Sequence, residues 1–396
     1  MRCTFVAAVT ICLLTVGSHA VLADGLLLNL GPEELVQADG SDIQVPGYSV
    51  PSFVRWNGDN LKDLVIGEGG GFGDAKVRVY LNVGTEFDPQ FSDYFYAQSE
   101  GADLVCPAGG CLGCFPRVVY WDEDDRKDLL IGQSDGTVEI FLNTGTEENP
   151  TFDGGAKVVV GVPGSEMDLD VGRRATPTFL DWDLDGLTDI VSGALDGKIH
   201  IYYNCGCGSA IPPHFYYSDP IGSFARATGE DLVVPSMRSS PLLLDLDGDG
   251  NRDLLTGNTE GQLVFYKNMA IDASPLFSSY SLVESDGVPI DLPGTPRSRP
   301  FACYWEAYGQ VAPADPYLDI LIGAGDGKIH LYRGKPPIRD MDGDGDVDFA
   351  DYAVFVSHWY DVGCGACGGA DFNGDETVDF KDLWELIANW LANVGP

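Results

Sequence analysis

Residues 245–257 read DLDGDGNRDLLTG. The opening, D-x-D-x-D-G, sets carboxylates at alternate positions before a glycine turn, the pattern by which a loop surrounds a hard divalent cation such as calcium. The end of the stretch departs from the helix-flanked form of such a loop, which carries a carboxylate at its twelfth position. Here that position is Thr256, a carboxylate stands at the ninth (Asp253), and an apolar run follows it. The loop therefore heads a strand rather than a helix.

The stretch recurs as RWNGDNLKDLVIG (55–67), YWDEDDRKDLLIG (120–132) and DWDLDGLTDIVSG (181–193), with an interrupted copy running from YWEAYG (304–309) to YLDILIG (317–323). In each copy an Asp stands four residues before a Gly: Asp63, Asp128, Asp189, Asp253 and Asp319. The glycine opens a turn such as GQSDG, GALDG, GNTEG or GAGDG, and an alternating strand follows (VRVYLN, VEIFLN, IHIYYN, LVFYKN, IHLYRG). Strand, tight turn, strand makes a hairpin in every copy. Proline-led strands (PSFVRW, PRVVYW, PTFLDW, PLLLDL, PFACYW) lead into the loops. These are five units of roughly sixty residues, and such periodicity points to a propeller or an array. The last unit ends near Gly334 after its third strand, while an unpaired strand waits within residues 26–37. Pairing the two would close a ring and remove exposed sheet edges, whereas an open solenoid would leave them. The expected fold is mainly β: a five-bladed propeller whose N-terminal strand completes the last blade.

The acidic loop, the apolar strand, the G-x-x-D-G turn and the N-x-G-T-x-x-x-P-x-F connection (residues 82–91 and 143–152) resemble FG-GAP or VCBS repeats over about residues 25–334. That resemblance implies a calcium loop at the head of a β-hairpin, with the ninth-position Asp closing the site. Asp245, Asp247, Asp249 and Asp253 form the fullest set, followed by Asp181, Asp183, Asp185 and Asp189. Asn57, Asp59 and Asp63 and the set Asp122, Asp124 and Asp128 are partial. The competing reading is an acidic turn held by its own Asx hydrogen bonds.

Composition changes after the break GKPPIR (334–339). DMDGDGDVDFAD (340–351) and DFNGDETVDFKD (371–382) align at an offset of 31, and each leads into an apolar pattern of helical spacing. The pair resembles a dockerin domain, which binds a cohesin-type receptor in extracellular assemblies. The resemblance implies two calcium sites, one from Asp340, Asp342, Asp344 and Asp351 and one from Asp371, Asn373, Asp375 and Asp382. It also implies that Phe349, Ala350, Phe380 and Lys381 help to choose the partner. For the two phenylalanines, core packing is the other reading. Glu376 stands where the first loop has Gly345, at a sharp turn that favours glycine.

The chain has 396 residues and a net charge of −38, which disfavours nucleic acid and anionic membrane surfaces as partners. Residues 1–23 combine Arg2, an apolar run and small-residue sites at Ala20 and Ala23, the pattern of a secretory signal peptide. No other segment approaches the length of a membrane span, so membrane insertion is not expected. Eight cysteines follow the leader, an even number that favours disulfides in an exported chain; zinc at Cys111 and Cys114 is the alternative. The expected organisation is a leader (1–23), a propeller (24–334), a linker (335–339) and a dockerin-like domain (340–396).

Function is less legible. The first reading is a secreted propeller that binds a glycan or protein ligand and is docked into a cohesin-containing assembly linked to polysaccharide breakdown. A glycoside hydrolase or polysaccharide lyase on the same scaffold is the alternative, and an adhesive spacer is a third. Glycoside chemistry needs paired carboxylates in distinct environments. Only the residues that break the repeat, Glu68, Glu306 with Tyr308 and the 106–114 loop, are candidates. His200 and His330 share one repeat position and read as strand residues. Trp56, Trp121, Trp182 and Trp305 share another and could stack on sugars or pack between blades.

Overall fold

The computed structural model describes residues 28–390 except 70–73, 108–112, 123, 163, 207–212, 216–221, 228, 248, 295, 306–316, 336–338, 343–346, 364–366, 373–375 and 389. Residues 1–23, expected to be a leader, and Asp344, Asn373, Asp375, Glu306, Tyr308, Cys111 and Cys364 lie outside the described residues. The fold is mainly β and propeller-like.

Four sheets each arise from one continuous stretch. The first runs Ser49–Val54, Asp63–Glu68, Ala75–Asn82 and Phe91–Tyr96, with short strands added at its outer edge. The second runs Phe115–Val119, Asp128–Gly132, Val138–Phe141 and Ala156–Lys157. The third runs Thr176–Leu180, Asp189–Gly193, Ile199–Tyr202 and Ser223–Phe224, and the fourth Pro241–Leu244, Asp253–Gly257, Leu263–Tyr266 and Ser281–Leu282. Another sheet joins the two ends of the repeat region. Arg299–Cys303, Asp319–Gly323 and Ile329–Gly334 are completed by Leu30–Leu35, antiparallel, with Leu35 opposite His330 and Glu34 opposite Leu331.

The first strands of successive sheets touch in sequence, and Arg299–Cys303 returns to Ser49–Val54. The recurring glycine explains how they come so close. A Cβ on Gly67, Gly132, Gly193, Gly257 or Gly323 would lie 2.1–2.4 Å from a backbone oxygen at the start of the next sheet. For Gly323 that oxygen belongs to Ser49. Any side chain there would force the sheets apart.

Apolar clusters fill the spaces between neighbouring sheets. One gathers Phe53, Leu64, Ile66 and Phe91 from the first sheet with Trp305, Leu321 and Leu331 from the last. The repeated tryptophans sit in these seams. Trp305 stacks on Phe53 at 4.6 Å between ring centres, Trp121 on Phe179 at 5.1 Å, and Trp56 and Trp182 approach Phe152 and Phe277. All four are buried, so their part is packing and they are withdrawn from sugar stacking.

Beyond the sheets lie two short helices, α1 (Phe349–Ser357) and α2 (Phe380–Ala388). Asp348 caps α1 by accepting from the Ala350 amide, and Asp379 does the same for Lys381 at α2. Phe355, Leu386, Val347 and Val378 share a small apolar core.

Candidate metal centres

The ninth-position aspartates are the most buried acids of the repeats. Asp253 Oδ2 accepts from the Leu246 amide (3.0 Å) and Oδ1 from the Asn268 amide (2.8 Å). Asp189 does the same with Trp182 and Asn204, Asp128 with Trp121 and Asn143, and Asp63 with Trp56 and Asn82. Asp319 accepts from Trp305 and Gly334. One carboxylate thus clasps the start of the acidic loop to the end of the third strand in every unit. The sequence pattern assigns Asp189 and Asp253 only a ligand's part; the repetition of the Asp in loops with few other acids is the available signal for the clasp.

Three groups of acids also bring one oxygen each within 4.8 Å of the others: Asp181, Asp183 and Asp189; Asp245, Asp247 and Asp253; Asp340, Asp342 and Asp351. Asp185 and Asp249, expected as fourth members, stand outside these groups and accept instead from the amides of Leu187 and Asn251. Asp344 cannot be placed, since it lies outside the described residues. The partial loops form no such group among the described residues, and in one of them Asp124 pairs with Arg126.

Electrostatics follow from this crowding. Burial pushes the Asp189 carboxyl up to about 6, against the pull of its two backbone hydrogen bonds, and Asp183 and Asp185 add to the rise. Asp253 is likewise pushed to about 6, by burial first and by Asp247 and Asp249 as well. Burial and the neighbouring Asp185 and Asp181 raise Asp183. Clustered carboxylates that resist ionisation are the arrangement a divalent cation relieves.

The Asp181 loop fits such an ion on a further ground: Asp181 Oδ1 is buried without a hydrogen-bond partner, while Oδ2 accepts from Gly186. An all-oxygen donor set of this kind suits calcium. The Asp245 loop differs, because the Lys267 ammonium contacts Asp247 and lies 3.3 Å from Asp249. Burial raises Asp249, but Asn251 and Lys267 outweigh it and hold the group below its usual value. Position 267 is Leu81, Leu142 or Tyr203 in other units, so the lysine was visible in the sequence but its reach across the sheet was not.

In the tail, Asp351 accepts from the amides of Met341 (2.6 Å) and Asp348 (2.7 Å). Asp382 repeats this with Phe372 (2.8 Å) and Asp379 (2.9 Å). Both are fully buried. Asp371 accepts from the Glu376 amide, and Glu376 takes a left-handed φ of 62° where Gly was the favoured residue. Phe349 and Phe380 are 74% and 70% exposed, so core packing does not account for them. Each meets a tryptophan edge-on, Phe349 with Trp390 and Phe380 with Trp359, and Ala350 and Lys381 beside them are exposed.

Cys106 and Cys114 form a disulfide, which takes Cys114 out of any zinc site; Cys205 and Cys367 are also disulfide-bonded. Glu68 is buried in an ion pair with Arg78, whose guanidinium lies 4.1 Å from the centre of the Tyr94 ring. His200 packs edge-on against Phe224, and His330 binds Glu33 of the N-terminal strand. A cleft of about 610 Å³ opens beside the first loop, lined by Asn57, Asp59, Phe95, Glu148 and Asn149.

No protein-family model and no curated protein matches the chain. Among solved structures, the chain is similar to a Thermus thermophilus protein described as an oxidoreductase (glucose dehydrogenase), at 14% identity, with 77% of this chain and 100% of that one covered and a TM-score of 0.39. It is similar to part of the Photorhabdus luminescens Tc holotoxin pore, at 15% identity over 78% of this chain and 14% of that one, TM-score 0.33. A third likeness is to BBS1N in complex with ARL6DN, at 12% identity over 74% and 81%, TM-score 0.33. Likenesses this distant bear on no functional assignment.

Proposed function

We propose that the chain is a secreted, calcium-binding propeller of five FG-GAP/VCBS-like blades that holds a glycan or protein ligand and docks through a dockerin-like tail onto a cohesin-type receptor, in an assembly concerned with polysaccharide breakdown. The observation that carries this reading is the convergence of carboxylates in two repeat loops and one tail loop, with Asp181 Oδ1 left unpartnered in its cluster. Asp181, Asp183 and Asp189 would hold one ion, Asp245, Asp247 and Asp253 a second, and Asp340, Asp342 and Asp351 a third. Bound calcium supplies the positive charge that lets these acids ionise side by side.

The count of five blades is supported by the ring of first strands and by the approach of Gly323 to Ser49. The docking role is supported by the internal likeness of the tail, in which two loops, two buried aspartates and two exposed phenylalanines correspond. Export is supported by the leader pattern and by the Cys106–Cys114 disulfide, which belongs to an oxidising compartment. The cleft beside Asn57 and Asp59 offers amides, carboxylates and an exposed Phe95, the mixture that suits sugar hydroxyls and faces.

The test is capture of the purified chain on a panel of immobilised cohesins, with calcium and with EDTA, beside glycan-array binding. Calcium-dependent capture that is lost in the double variant Phe349→Ala, Phe380→Ala is expected. Failure of every cohesin to retain the calcium-loaded chain would refute the docking role.

A further inference from the structure

The first strands enter the ring through five equivalent segments, aligned by their prolines Pro51, Pro116, Pro177, Pro241 and Pro300. Three residues before the proline stand Tyr48, Gly113, Arg174, Arg238 and Arg297, and directly before it stand Val50, Phe115, Thr176, Ser240 and Arg299. Because these strands contact one another around the ring, the segments meet at its axis. The side-chain contacts cross that axis. The Arg299 guanidinium lies 4.5 Å from the Tyr48 ring centre and 5.7 Å from that of Phe115, two sheets away, and Arg174 lies 5.0 Å from Phe115. Arg297 is 4.7 Å from Tyr48.

Four guanidinium groups therefore gather in a chain that carries 61 acids against 23 bases. Among the described residues Arg174, Arg297 and Arg299 have no carboxylate partner. Arg174 is 0% exposed and Arg299 1%. Arg174 donates to Ser239 O and Ser240 Oγ, but its Nε has no partner. Arg299 donates through Nη1 to Arg297 O and leaves both Nε and Nη2 unpartnered. Aromatic faces attract the cation but accept nothing from N–H groups lying in the guanidinium plane. Burial, with Arg238 and Arg297 adding to it, pushes Arg299 down to about 9.

The backbone supplies an independent sign that the arginines are wanted. Arg174, Arg238 and Arg297 have φ of 59°, 64° and 53°. Glycine adopts this left-handed region freely and an arginine does not, yet arginine fills all three equivalent positions. Strain of this kind, combined with buried unpaired donors, marks a site that something else completes.

Nε and Nη2 form one edge of the planar guanidinium, the fork that takes two oxygens of a carboxylate, sulfate or phosphate side-on. We propose that the axial arginine cluster is a binding site for a small oxyanion, gripped by the Nε–Nη2 edge of Arg299 and neutralised by Arg174, Arg238 and Arg297. Arg238 and Arg297 are partly exposed and mark the end of the axis from which the anion enters. The site is separate from the metal loops and stands whether or not they bind calcium.

Sulfate and glucuronate are the probes, added to the full chain at equal ionic strength against chloride, with glucose as the uncharged control. Calorimetry should show saturable binding of at least one oxyanion, with a rise of several degrees in melting temperature that chloride and glucose do not give. Glucuronate binding would identify a sugar acid as the source of the anion, and sulfate binding alone a free tetrahedral anion. Arg299→Met should abolish binding while the anion-free protein melts no lower than the parent, because an unpaired buried charge has been removed. If that variant does not fold, Arg297→Gln, at a partly exposed position, should weaken binding about tenfold with the fold retained. Absence of binding by either anion, or binding that Arg297→Gln leaves unchanged, overturns the proposal.

Discussion

Asp253→Ala tests whether the ninth-position acid serves the fold itself or only a cation. The carboxylate is fully buried and satisfies two buried amides, those of Leu246 and Asn268. Alanine leaves both without an acceptor, at about 1–3 kcal/mol each, so the expected loss is roughly 4 kcal/mol. At about 2 °C per kcal/mol for a chain of this size, the melting temperature should fall by roughly 8 °C. Asp253→Asn keeps one acceptor oxygen and turns an NH2 towards the second amide, so about half that loss is expected. The decisive assay is thermal unfolding at pH 7.5 in EDTA, where any metal contribution is absent. The order should be parent above Asn above Ala. Variants that melt within about 0.5 kcal/mol of the parent in EDTA, yet lose stability relative to it in calcium, would refute the clasp and leave Asp253 as a ligand only.

The pH dependence has a definite sign. Asp189 and Asp253 titrate near 6 in the folded chain, and burial also raises Asp63 and Asp128. Acids raised in this way favour the fold most below about pH 4, and lose that contribution as pH climbs through about 6. Calcium should therefore raise the melting temperature more at pH 7 than at pH 5; an equal or larger gain at pH 5 would contradict this. Lys267→Met removes the ammonium from Asp247 and Asp249 and should tighten calcium at that loop about tenfold by calorimetry, whereas an unchanged affinity would show that the lysine does not compete. Trp305→Ala opens the seam between the last sheet and the first, where the indole stacks on Phe53 and meets Phe91 at a tilt, and should cost about 3–5 kcal/mol in urea unfolding. Tyr120→Ala, at an exposed position of the second sheet's loop, should stay within about 0.5 kcal/mol and serves as its control.

Much of the propeller-like fold was legible because its constraints are local and repeated. An Asp four residues before a Gly marks where a strand leaves the loop and where the next sheet's backbone passes. The odd phase of the repeats marks the pairing of residues 30–35 with the last strand. Features that depend on distant parts meeting were not legible. Lys267 reaches Asp247 across a sheet, and the arginines before the first strands converge only when the sheets surround one axis. Their left-handed backbone carries no glycine to announce it. The ninth aspartate is marked by its position, but its clasp is not, because carboxylate spacing does not reveal which amides its two oxygens face. Cysteine spacing likewise left the Cys106–Cys114 pairing open. In the tail, helical spacing alone could not tell whether Phe349 and Phe380 faced the core or the solvent.

Calcium titration of the chelator-washed full chain by calorimetry at pH 7 tests the metal-loop reading most directly. Saturable binding is predicted, with Asp181→Ala removing one binding event and leaving the tail's intact, and Asp340→Ala doing the reverse. A parent chain without saturable binding at millimolar calcium, or two variants that titrate like the parent, would contradict it.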